Sequence, residues 1–227
     1  MAPQPARAGT PSITLTWFIA PSRWAPETLL PLLGAFAPEA LPLDYADFGT
    51  GSHWWHGQDG QGSWDEPGYA RVHHFSPQDA AEVGVESVTF DAHDVGQLQV
   101  ILGEASIDRA AALFDAASPA LGAFFAAGQR WERNHEPEHF LNGVRWQGLP
   151  PMAMWRAWFG PPYLELVEPH IAGDRHPAGL LVRDPTEWTL PPELTYTPRP
   201  PIHHENGGIT VVPAVDEDRA SVIPPIE

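Results

Sequence analysis

The chain has 227 residues and a formal net charge of -17, and all 12 of its basic residues are arginine. That balance argues against nucleic acid and anionic membrane surfaces as partners, since phosphate recognition needs clustered Lys and Arg. It suits a basic protein partner drawn in by the field, or serves solubility alone.

With 43% hydrophobic residues and 10 Trp, the chain can bury a core. It has no cysteine, hence no disulfide, thiolate metal site or Cys nucleophile. Its 27 prolines each fix φ and remove a backbone donor, so many short elements and ordered loops are expected. No apolar run reaches the roughly 18 residues of a membrane span. MAPQPARAGTPS has no apolar signal region, and residues 1–11 read as a disordered leader on a cytoplasmic protein.

SITLTWFIA (12–20) is rich in β-formers and predicts a buried strand that Pro21 ends. PETLLPLLGAF (26–36) predicts a helix that Pro31 keeps short or kinked, with Pro26 at the first helical position and an apolar stripe of Leu29, Leu30, Leu32, Leu33 and Phe36. Residues 44–70 are rich in Gly, Trp and acid with little periodicity, and read as a long insertion. RVHHF (71–75) is a short strand candidate.

SVTFDAHD (87–94) and QLQVILGE (97–104) alternate apolar and polar residues around Val95-Gly96, which predicts a β-hairpin. Ser106 caps a helix predicted over 107–131, with Ile107, Ala111, Phe114, Leu121, Phe124 and Phe125 on its apolar face and Pro119 breaking or kinking it.

After an acidic loop at 132–143, PMAMWRAWFG (151–160) and YLELVEPHI (163–171) read as a strand or short helix and its neighbour. Strand candidates follow at 179–183, 187–190, 193–197 and 208–213. The order strand, helix, hairpin, helix, strand is β-α-β-β-α-β. The expectation is an α+β, ferredoxin-like core over 12–171 with the insertion 44–70, a Pro-rich β extension over 172–213 and a tail over 214–227.

His135-Glu136-Pro137-Glu138-His139 spells H-E-x-x-H, the zinc-hydrolase pattern in which two imidazoles on one helix face hold the ion and the Glu acts as base. Pro137 opposes it. It removes an N–H inside the motif and biases Glu136 away from helical geometry. The flanking WERNHEPEHFLNG is polar, where a motif helix would be apolar. Glu165 or Glu168 is the nearest third-ligand candidate.

The other His residues, with pairs at 73–74 and 203–204 and His53 and His56 around Trp54-Trp55, could assemble a site only in three dimensions, and the sequence does not show which of them meet. There is no G-x-S-x-G elbow, and without lysine no P-loop. The reading is that the chain has no catalytic residues, no metal site and no cofactor.

The remaining feature is the insertion. Trp54, Trp55, Asp59, Trp64, Asp65 and Glu66 combine aromatics with acids, which suits contact with a basic partner because Trp dominates binding hot spots. One competing reading folds these aromatics back onto the core, and a third makes them a carbohydrate platform.

SITLTWF with PETLLPLLGAF, and the hairpin and helix followed by GLPPMAMWRAWFGPPYLELVEP, together resemble immunity proteins of bacterial polymorphic-toxin and type VI secretion systems. The segment Trp155 to Leu164 is part of that likeness, which spans about two thirds of the chain; the Trp-rich insertion and the Pro-rich tail lie outside it. The resemblance implies a cytoplasmic, non-enzymatic inhibitor that occludes the active site of a cognate toxin. Two further readings stand beside it: a metal-dependent hydrolase using HEPEH, and a structural component of a bacterial assembly. Homo-oligomerisation is open.

Overall fold

The computed structural model describes residues 12–20, 23, 47–48, 70–74, 85–92, 95–103, 107–130, 146–185, 187–200, 202–203 and 209–210. In chain order the elements are β1 (Ser12–Ile19), β2 (Asp47–Phe48), β3 (Ala70–His74), β4 (Val85–Ala92), β5 (Gly96–Gly103) and α1 (Ile107–Ala120). They continue as β6 (Phe125–Arg130), β7 (Arg156–Phe159), α2 (Tyr163–Val167), β8 (Asp174–His176), β9 (Gly179–Arg183), β10 (Ile202–His203) and β11 (Ile209–Thr210).

Nine of the described strands form one open sheet in the order β2-β3-β4-β5-β1-β6-β7-β9-β8, antiparallel at every step. β10 and β11 pair separately. The architecture is mixed α+β. Because β5 and β6 both run antiparallel to β1 on either side of it, they are parallel to each other, and α1 carries the chain across β1 between them.

Strand alternation sets the layers. On β1, Ile13, Leu15, Trp17 and Ile19 face α1 together with Leu98, Val100 and Leu102 of β5. The helix answers with Ala110, Leu113, Phe114 and Ala117, spaced for one helical face, and Trp17 stacks on Phe114 at 5.9 Å. These side chains are nearly all inaccessible, and each large one contributes roughly 1.5–3 kcal/mol of burial.

On the opposite face Phe18, Phe125, Ala157, Phe159, Leu180 and Val182 meet Tyr163, Leu164 and Val167 of α2 and the C-terminal residues Trp188, Leu190, Leu194 and Tyr196. Trp146 lies at the centre of this second layer, 4.9 Å from Phe18 and 4.8 Å from Phe124, with its indole N–H donated to the Tyr163 hydroxyl at 2.7 Å.

The helix predicted over 107–131 is shorter. It passes through Pro119 and stops at Ala120, and FAAGQR becomes β6. Gly122, at φ +59°, is the reason: its N–H donates to the Pro119 carbonyl at 3.1 Å, and the Ala123 N–H to the Ser118 carbonyl at 3.2 Å, a Schellman stop. The Phe124 N–H then donates to the Phe18 carbonyl at 3.0 Å and delivers the chain to the edge of β1. Phe124 and Phe125 therefore join the second layer rather than the α1 face.

Small residues suit the new role. A Cβ on Gly128 would lie 3.0 Å from the Trp155 ring and 3.3 Å from Leu15. The Ala-rich composition reads as helix, but two ladders of strand pairing outweigh a propensity of a few tenths of a kcal/mol per residue.

The expected hairpin stands as β4–β5, with a register irregularity between Val85 and Ser87. GLLVR forms β9 at the expected bounds. EWTL (187–190) forms no strand, and of ELTYT (193–197) only Thr195 makes a bridge, to Leu149. That stretch is stitched by Leu149, whose N–H donates to the Leu194 carbonyl at 2.8 Å and whose carbonyl accepts from the Tyr196 N–H at 2.9 Å. The region expected as an extension thus supplies β8 and β9 to the sheet and four large residues to its second layer. The helix expected over 26–36 lies outside the described residues.

Candidate functional site

The six residues expected to touch a partner, Trp54, Trp55, Asp59, Trp64, Asp65 and Glu66, lie outside the described residues. Their anchorage is described. β2 and β3, which flank the stretch 49–69 in sequence, are antiparallel neighbours, with Asp47 opposite Val72 and Phe48 opposite Arg71. Phe48 and Arg71 are therefore about 5 Å apart, one strand spacing. Among the described strands, β2 is outermost on that side and β8 on the other.

HEPEH also lies outside the described residues. Among the described residues no three His, Asp or Glu side chains come close enough to hold a metal ion. Of the candidate third ligands, Glu165 is exposed on α2, and Glu168 forms a surface pair with Arg175 at 3.2 Å. His170 and His176 are exposed; the His176 ring sits 5.5 Å from Trp158, and its Nδ1 accepts from the Ala178 N–H at 3.1 Å.

Four of the five described Trp residues belong to the core, and Trp155 is half-buried against it. Trp17, Trp146, Trp158 and Trp188 are buried, and three of them spend their N–H inside the protein: Trp17 on Ser118 Oγ, Trp146 on Tyr163 and Trp158 on the Ala123 carbonyl. Trp188 is buried with its Nε1 unpartnered, against the Phe159 ring at 5.6 Å.

A charge cluster with no signature in the sequence sits on the α1 side of the sheet. Arg156 of β7 stands directly opposite Arg183 of β9, a like-charge pair that alone would push the strands apart. Asp115 of α1 resolves it. Its Oδ1 accepts from Arg156 Nη1 at 2.8 Å, and its Oδ2 accepts from Arg183 Nη2 at 3.1 Å and Nε at 3.3 Å. Arg183 also pairs with Asp174 of β8.

The Arg156 guanidinium lies over the Trp155 ring, 5.0 Å from its centroid, and its Nε is buried without a partner. The cluster ties one helix to three strands. Its cations are matched by carboxylates, so it holds elements together and leaves no open charge aimed at a ligand.

The face of β5, β1 and β6 turned away from α1 is polar at its centre. Thr14 and Thr16 project there and are buried, and Gln99 Nε2 reaches the Thr16 hydroxyl at 3.4 Å. Cross-strand pairing sets Gln129 opposite Thr14. Alternation in SITLTWF and QLQVILG signals this face, but does not say that its threonines are covered.

No protein-family model matches this chain, and a search of curated proteins finds no match. Among solved structures, the fold resembles that of the Pseudomonas aeruginosa T6SS protein PA0821, with a TM-score of 0.51 at 12% sequence identity. The likeness covers 79% of this chain and 70% of the other. At that identity it is a statement about fold. Among the described residues no helix is long and apolar enough to cross a membrane.

Proposed function

We propose that this chain is a non-enzymatic acidic binding protein of the immunity type, which neutralises a cognate bacterial toxin in the cytoplasm by occluding its active site. The observation that carries the reading is the fold shared with a T6SS protein across 79% of the chain, joined to a resemblance of the sequence itself to immunity proteins. The net charge of -17 supports a basic partner, and the acidic, aromatic composition of the insertion 44–70 supports Trp54, Trp55, Asp59, Trp64, Asp65 and Glu66 as its contacts. In fold terms the proposal is a ferredoxin-like core, supported by the strand order β6-β1-β5-β4 and by α1 crossing β1.

The fold likeness also favours a second reading, a structural component of a secretion assembly. Purification of the tagged protein from its native host, with elemental analysis of the same eluate, separates these. A stoichiometric basic protein whose toxicity is suppressed by co-expression supports the immunity reading. A large multi-protein assembly supports the structural one. One zinc per chain with no partner overturns both and makes His135, Glu136 and His139 the residues to mutate.

A further inference from the structure

We draw no further inference here: the strongest candidate, the polar face of β5, β1 and β6 turned away from α1, where the Thr14 hydroxyl is buried without a hydrogen-bond partner, carries nothing because no described residue shows what covers it.

Discussion

Trp17 donates its indole N–H to the hydroxyl of Ser118 at 3.0 Å, across 101 residues of sequence and inside the core. Ser118 in turn donates to the Phe114 carbonyl at 2.7 Å, so both polar groups are satisfied where water is absent. The bond pins the last turn of α1 to the central strand, one turn before Gly122 ends the helix.

Ser118→Ala leaves that indole N–H buried with no acceptor. The expected cost is about 1–3 kcal/mol, the penalty of an unsatisfied buried donor rather than the smaller net value of a hydrogen bond. Urea denaturation of Ser118→Ala, Trp17→Phe and the double variant checks it. The double variant should lose less than the sum of the singles by about 0.5–1.5 kcal/mol. Strict additivity would mean the bond contributes nothing.

Asp115 should matter far more than Arg183. Removing the carboxylate strands Arg156, whose side chain is only 11% exposed, opposite a second arginine. A fully buried pair broken on one side costs about 3–5 kcal/mol, and the partial exposure of Asp115 lowers this to about 2 kcal/mol. Arg183 is 40% exposed, and Arg183→Ala should cost less than about 1 kcal/mol. Thermal melts of both variants decide it. The reverse ranking would place the weight of the cluster on the β8–β9 edge.

Two glycines should differ sharply. A Cβ on Gly160 would collide with the Ala123 carbonyl oxygen, and Gly160 cannot retreat because its N–H is held by the Phe124 carbonyl at 3.0 Å. Gly160→Ala should therefore cost about 3 kcal/mol, the upper end of the usual range for overpacking. Gly122→Ala meets only the far end of the exposed Arg23 side chain, which can move, so its cost is the left-handed backbone, about 1 kcal/mol. Comparable melting temperatures for the two would show that Gly160 has room to shift.

If the insertion carries the partner contact, Trp54→Ala with Trp55→Ala should weaken binding at least about tenfold while leaving the melting temperature unchanged. The association rate of the unmodified protein should also fall as salt rises, because an exposed acidic field is screened within about 8–10 Å. Surface plasmon resonance against the captured partner reads both. A collapse in stability would assign the two tryptophans to the core, and a salt-independent rate would remove charge steering from the proposal.

The legible parts of the fold were those whose signal is local. Period-two alternation marked the hairpin β4–β5, and runs of β-forming residues marked β1 and β9, because both signals lie in neighbouring residues. FAAGQR misled for the same reason in reverse. Ala and Gln favour helix locally, and only the glycine stop at 122 and the open edge of β1 turn the segment into a strand. EWTL and ELTYT have β-forming residues, but among the described residues they pair only through the Thr195–Leu149 bridge, and they contribute Trp188, Leu190, Leu194 and Tyr196 as packing instead. Of the candidate site, the acidic aromatic insertion was legible as composition, and its root on the β2–β3 hairpin was not.

By itself the sequence determined the acidity, the absence of thiol chemistry, the α+β class and the alternation that gives β1 and β5 an apolar face for α1. Tertiary structure alone decided the strand order, where α1 ends, and that Asp115 must stand between Arg156 and Arg183. The division has one cause. A side chain's alternation is a property of its immediate neighbours, whereas pairings spanning 41, 68 or 101 residues depend on which surfaces the folded chain brings together.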